Sequence, residues 1–227
     1  MSEQLKSLIF VCTANICRSP VAAEILIREL SSWLENSELP LSIISRGTHA
    51  ISGDDRCVVA SERFQIEEPG VSAIFESDDV SASTLVLTME QAQIAFLVKA
   101  YPKLRAQIFT LPQVVEIAQK IYDGVLDGSL FTSTDPEVSV GFVAPPLPDE
   151  VDQRWNWLLN ELDANRGLVT STSSSLTSGD LDIADAHQVD GPTHEIALEL
   201  IEENVKVLAV LIQDILSVSE HTKVSTI

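Results

Sequence analysis

Residues Leu8 to Val11 form an unbroken apolar run, and nine positions further on the chain has reached Ser19-Pro20 and an amphipathic repeat. Four apolar residues without alternation are the mark of a strand buried on both faces of a parallel sheet. Ser-Pro reads as an N-cap followed by proline at the first helical position. Ala22, Leu26, Leu30 and Trp33 or Leu34 then recur at helical spacing, so a helix with one apolar face is expected over residues 20–35. A buried strand tied to a helix by so short a loop commits the chain to a layered α/β arrangement. It also places the intervening loop at the positive end of a helix dipole, among backbone N–H groups, where a tetrahedral oxyanion can sit.

The same alternation continues downstream. Leu41 to Ser45, Thr84 to Thr88 and Gln107 to Leu111 read as strands, with helices expected near 55–64, 90–100 and 112–122. The pattern predicts a three-layer α/β sandwich. Its central sheet is four-stranded and mostly parallel, with helices on both faces and the phosphate-binding loop between the first strand and the first helix. Residues 123–150, with Gly124, Gly128, Gly141 and four prolines, read as an irregular excursion. Residues 151–166 read as a helix with Trp155, Leu158, Leu159 and Leu162 on one face. Thr170 to Gly179 reads as a flexible Ser/Thr-rich linker. A long helix is expected over roughly 192–217, with Ile196, Leu200, Val207 and Leu211 inward, and residues 218–227 read as a disordered tail.

Composition narrows the function. Asp and Glu number 34 against 14 Lys and Arg, a formal charge of −20. That excess excludes nucleic acid and opposes docking on an anionic membrane. Any phosphate-bearing ligand needs a local positive site working against this far field, which itself favours basic partners. With 227 residues, 45% of them hydrophobic, the chain can bury a sizeable core. Cys12, Cys17 and Cys57 are too few and too unevenly spaced for a disulfide scaffold. The apolar run near the N-terminus is too short for a signal peptide, so a cytoplasmic protein with reduced thiols is expected. No His, Cys or carboxylate group has metal-ligand spacing, so neither metal nor other cofactor is expected.

Cys12 opens the loop, where donors and the helix dipole predict a lowered pKa and a thiolate near neutral pH. Arg18, six positions on, can fold back and hold two oxygens of an anion with its guanidinium fork. A buried structural cysteine beside an unrelated arginine is the plainer alternative. The segment Val11-Cys12-Thr13-Ala14-Asn15-Ile16-Cys17-Arg18-Ser19-Pro20 resembles the signature V-C-x-G-N-x-C-R-S-P of the low-molecular-weight protein tyrosine phosphatase family, which also includes thiol-coupled arsenate reductases. Ala14 stands where that family has glycine. Ser45-Arg46-Gly47-Thr48-His49-Ala50 is similar to the family's S-A-G-T stretch, and Leu87-Thr88-Met89 extends the likeness. It covers roughly 5–120 and 180–217, which leaves 121–180 as an insertion within a single domain, 1–227.

The resemblance implies two-step phosphomonoester hydrolysis through a cysteinyl phosphate, with Cys12 as nucleophile. Thr13, Ala14, Asn15, Ile16, Cys17, Arg18 and Ser19 would bind the phosphate. Ser19 would also contact the Cys12 sulfur, and Asn15 and Ser45 would hold the loop. Asp182-Ile183-Ala184-Asp185-Ala186-His187 is similar to the family's D-I-P-D-P-Y, which makes Asp185 the candidate general acid. Alanines replace both prolines, and His187 replaces the aromatic. Asp135-Pro136 is a second D-P pair, but no long helix follows it. By the same resemblance Cys17 is a redox partner that protects Cys12 as a disulfide. Cys57 reads as a core residue, His194 and His221 as surface residues, and His49 as either rim or structural. The implied substrate is a phosphorylated protein, phosphotyrosine first. Arsenate reduction with a small external thiol is one alternative; only Cys57 lies outside the loop, one cysteine short of a thioredoxin-coupled relay. A catalytically weak phosphoprotein-binding module is the other.

Overall fold

The computed structural model describes residues 6–37, 39–131, 144–168, 181–185 and 191–218. Strands β1 (Lys6–Cys12), β2 (Leu41–Gly47), β3 (Thr84–Thr88) and β4 (Ile108–Thr110) pair in the order β2-β1-β3-β4, every pair parallel. From β1 the chain crosses to β2 on one side and later returns to β3 on the other. The carboxyl end of β1 is therefore a topological switch point, where a crevice opens above the sheet. Cys12 pairs with Gly47 and Val11 with Thr88, so the strand ends lining that crevice are level.

Six α-helices are seen among the described residues: α1 (Arg18–Ser37), α2 (Val58–Arg63), α3 (Gln91–Ala100), α4 (Leu111–Asp127), α5 (Val151–Ala164) and α6 (Gly191–Ser217). The strands sort them into layers. Leu8, Phe10, Leu85, Leu87 and Phe109 point into a core shared with α1, α4, α5 and α6. Ile9, Val11, Val86 and Ile108 point the opposite way, against Leu97, Ile94 and Val98 of α3. This explains the unbroken apolar run, since both faces of β1 are covered. The expected three-layer sandwich is present, with a sheet that is parallel throughout. No helix among the described residues is long and apolar enough to cross a membrane.

Three local expectations differ from the structure. Helix α4 runs on to Asp127 and stops at Gly128, whose φ of 75° suits a left-handed helix end. Gly124 is a packing residue instead of a breaker, because a Cβ there would lie 3.1 Å from Leu130 Cβ. Helix α6 differs in part from the expected face: Leu211 is buried and Leu200 partly buried as expected, but Ile196 and Val207 are exposed, and Leu198, Ile201, Val205, Leu208 and Ile212 complete the inward stripe. Both stripes are apolar, so periodicity alone could not choose between them. Third, Ser19 is not the N-cap. Val21 donates to the Cys17 carbonyl at 3.2 Å, so the helix begins earlier and Pro20 falls inside its first turn, where a missing N–H costs nothing.

The expected face of α5 is found. Trp155, Leu158, Leu159 and Leu162 are buried, and Trp155 Nε1 donates to the Ser83 carbonyl at 2.9 Å. The neighbouring Arg154 donates from Nη1 to the carbonyls of Leu216 and Val218 at 2.9 and 2.7 Å. A guanidinium at the end of α6 meets both its open carbonyls and the negative end of its dipole.

Candidate active site

Between the end of β1 and the start of α1 the chain turns in five residues, Thr13 to Cys17. Asn15 makes the turn possible with φ of 56°, a left-handed conformation that asparagine tolerates better than most residues. Its amide donates to Cys12 Sγ at 3.3 Å, and its Nδ2 donates to Ser19 Oγ at 2.9 Å. Its Oδ1 accepts from the Ala73 amide at 2.9 Å, tying the loop to the chain beyond β2. Ser19 Oγ lies 3.1 Å from Cys12 Sγ and 3.1 Å from the Arg46 carbonyl, so its one proton serves either partner.

The end of β2 braces the outside of the loop. Thr48 and His49 donate their amides to the carbonyls of Cys12 and Thr13 at 2.9 and 2.8 Å. Contact is so close at Gly47 that an added Cβ would sit 2.8 Å from the Thr13 oxygen and 3.0 Å from the Ala14 carbonyl carbon. Gly47→Ala is therefore expected to push the loop out of register. Its kcat/KM on p-nitrophenyl phosphate should fall about ten- to a hundredfold, with a lowered Tm by calorimetry.

Arg18 is buried, with 3% of its surface exposed. Its Nη1 donates to the Ile183 carbonyl at 2.8 Å and pairs with Glu90, while Nη2 lies 2.6 Å from Asp185 Oδ2. Asp185 is carried by a segment docked on the turn after β3: Ile183 donates to the Met89 carbonyl at 2.7 Å, and Asp182 Oδ1 accepts from the Gln91 amide at 2.8 Å. Cys12, Thr13, Ala14, Ile16, Cys17, Arg18 and Asp185 together line a cavity of 380 Å³. Arg56 adds a second cation in range. Burial lowers its pKa, and the Coulombic pull of Cys12 opposes that shift. Arg18 is the local positive site inside the cavity that a phosphate would need on so acidic a chain.

Cys12, Thr13, Ala14, Ile16, Cys17, Arg18 and Asp185 thus meet in one cavity, whereas Asn15 and Ser19 are buried against the Cys12 sulfur and do not line it. Bracing from β2 comes through the Arg46 carbonyl and the amides of Thr48 and His49, not the Ser45 side chain. His49 is exposed beside the loop: its ring packs 4.5 Å from that of Phe96, and its Nδ1 lies 2.9 Å from Thr48 Oγ1. Asp135-Pro136, Thr170 to Gly179, Ala186, His187, His221 and residues 219–227 lie outside the described residues. Sequence reasoning missed Glu90 and Gln93. Gln93 accepts from the amides of Met89 and Glu90 at 2.9 and 3.1 Å, and donates to Thr13 Oγ1 at 3.3 Å. Glu90 stands two residues beyond the carboxyl end of β3, but nothing local in the sequence marks Arg18 as its partner.

Cys57 is buried, as expected, at the N-cap of α2. His194 corrects the expectation of a surface residue. It has 9% exposure, and its Nε2 lies 3.1 Å from Cys17 Sγ and 4.0 Å from Cys57 Sγ. Ligand-capable atoms of the three residues all fall within 4.8 Å of one another. Local spacing could not show this group, because His194 is 177 residues from Cys17 and 137 from Cys57. Burial first, and then the neighbouring Cys57, push the Cys17 thiol pKa well up.

Residues 7–166 match the family model described as low molecular weight phosphotyrosine protein phosphatase. A protein-arginine-phosphatase of Geobacillus stearothermophilus is 32% identical over 114 residues, 48% of this chain and 70% of that protein. The low molecular weight protein-tyrosine-phosphatase PtpB of Staphylococcus epidermidis is 34% identical over 119 residues, 51% of this chain and 78% of that protein. Among solved structures, the YwlE arginine phosphatase from Geobacillus stearothermophilus superposes with a TM-score of 0.52 at 21% identity. That superposition covers 90% of this chain and 91% of that one, a likeness of fold. With the signature loop closed around one cavity and the match spanning most of its length, the chain belongs to the low molecular weight phosphotyrosine protein phosphatase family.

Proposed function

We propose that the protein hydrolyses phosphomonoesters on proteins, phosphotyrosine first and ahead of the phosphoramidate phosphoarginine, through a cysteinyl-phosphate intermediate. One observation carries this: the Cys12 sulfur, the Arg18 guanidinium and the Asp185 carboxylate share a single cavity at the carboxyl end of β1. The phosphoryl group takes the Arg18 fork and the start of α1, where transition-state charge is best held. Its arrival displaces Asp185 from Nη2, and the carboxylate takes a proton from solvent before it acts as the acid. The sulfur attacks phosphorus, the S–P bond forms, and the P–O bond to the leaving group breaks as Asp185 gives its proton to the departing oxygen. A water then attacks phosphorus and passes a proton to Asp185, and the S–P bond breaks. The Ser19 proton, shared between the Arg46 carbonyl and the sulfur, turns to the departing thiolate.

Asp185→Asn is expected to slow p-nitrophenyl phosphate turnover about a hundredfold or more. The deficit should grow as the leaving phenol becomes less acidic; equal deficits across a phenol series would place the acid elsewhere.

The preference for phosphotyrosine rests on the cavity wall. Ala14 and Ile16 offer an apolar surface to a phenyl ring and no acceptor to a guanidinium. Matched phosphotyrosine and phosphoarginine peptides test it by the ratio of kcat/KM, and a ratio below one reverses the order. Arsenate turnover with an external thiol, assayed beside phosphate release, separates the reductase reading. Cys17 is the disulfide partner for Cys12 in this reading, held as a neutral thiol by its burial.

A further inference from the structure

We propose that Cys17, Cys57 and His194 form a binding site for a soft divalent cation, with zinc as the reference ion, built onto the phosphate-binding loop. Two sulfurs and an imidazole nitrogen are the donor set such ions take, and three protein ligands leave a fourth position for solvent. Zn–S and Zn–N bonds at a tetrahedral angle require about 3.6 Å between sulfur and nitrogen and about 3.8 Å between sulfurs. The two sulfur-to-Nε2 distances, 3.1 and 4.0 Å, bracket the first requirement. The 4.8 Å limit on all three atoms means that only a small closure is needed for the second.

The three residues come from separate elements that are already fastened together. Cys17 is the last loop residue and supplies the first carbonyl of α1, and Cys57 precedes α2. The Cys57 amide donates to the Ile16 carbonyl at 3.0 Å, which fixes the α2 end against the loop. His194 stands in the first turn of α6, the helix that packs most closely on α1. Neither Cys57 nor His194 lines the catalytic cavity, so catalysis gives no reason for their meeting. Charge supplies one. Two thiolates and a divalent cation sum to zero, which a buried site accommodates far better than bare thiolates. The formal charge of −20 that repels anions also draws cations toward the surface. Occupancy would pin Cys17, and with it the loop, to α2 and α6.

The test needs no phosphatase turnover, so it stands or falls apart from the proposed reaction. The full reduced chain is titrated with cobalt(II) as a spectroscopic probe, followed by displacement with zinc(II). A one-to-one complex is expected, with a thiolate-to-cobalt charge-transfer band and the intense visible bands of four-coordination. Cys57→Ala and His194→Ala should each weaken binding by about a hundredfold or more, as removal of a ligand must exceed the effect of an outer-shell change. Cys12→Ser should bind as the wild type does. Far-UV circular dichroism checks each fold, with Cys57→Ser and His194→Gln as replacements for an alanine variant that unfolds. The proposal is overturned by a six-coordinate spectrum without charge transfer, by unchanged affinity in both ligand variants, or by binding lost in Cys12→Ser alone.

Discussion

Replacing Cys12 by serine is expected to remove p-nitrophenyl phosphate turnover by about 10⁵-fold or more while phosphate still binds. The two outcomes separate because different atoms produce them. The hydroxyl of serine is a far weaker nucleophile than a thiolate, and the donors around position 12 cannot make it one. Asn15 N–H and Ser19 Oγ, at 3.3 and 3.1 Å from the sulfur, stabilise negative charge there but take up no proton. Phosphate meets the Arg18 fork and the start of α1, neither of which the substitution removes. Rapid-quench kinetics and phosphate titration by calorimetry measure both quantities on the same preparation. Turnover above about one part in a hundred in a clean preparation would mean that another group attacks phosphorus.

Arg18→Lys is expected to cost about 10³-fold in kcat/KM despite the preserved charge. Arg18 holds Ile183 and Glu90 through Nη1 and Asp185 through Nη2, so the fork spans a backbone carbonyl and two carboxylates. An ammonium is a point charge and cannot span those directions. In the variant the carboxylates of Glu90 and Asp185 flank position 18 with less cation between them, which opposes the entry of a phosphate dianion. The loss should therefore appear in phosphate affinity as well as in kcat. Glu90→Gln combined with Arg18→Lys should recover part of the affinity, since it removes one of the opposing charges. An additive double variant would show that Glu90 acts independently of the arginine.

The first strand, the loop and the first helix were legible in the sequence because local chemistry dictates them. Four apolar residues, a short loop and an amphipathic repeat leave few alternatives, although Ser-Pro marked the helix start two residues late. Asp185 was legible only through its surrounding residues, since an isolated aspartate in an acidic stretch carries no signal. Glu90 was hidden for a different reason: its partner Arg18 is 72 residues away, and only the parallel pairing of β1 with β3 brings them together. His194 was hidden by distance as well, and its helix offered two apolar stripes where one would have settled the rotation. The extent of α4 was misread because Gly124 breaks helices on average, yet here the absent Cβ lets Leu130 close against it.

Strand β1 is paired on both sides, with β2 and with β3, and Cys12 is its last residue. In terms of native-state hydrogen exchange, the amides of Ile9 to Val11 belong to the slowest class, which opens only when the whole domain unfolds. Asp185 instead lies outside strand and helix, next to residues held by the Ile183 amide on Met89, the Asp182 carboxylate on the Gln91 amide and the Arg18 donor to the Ile183 carbonyl. Backbone held by a few bonds outside the sheet opens at a lower free energy than a strand paired on both sides. Warming or mild denaturant thus detaches the acid well before it disturbs the nucleophile. A partly opened molecule still captures phosphate and still carries a reactive sulfur, but it no longer completes the cycle. Loss of activity therefore precedes loss of fold.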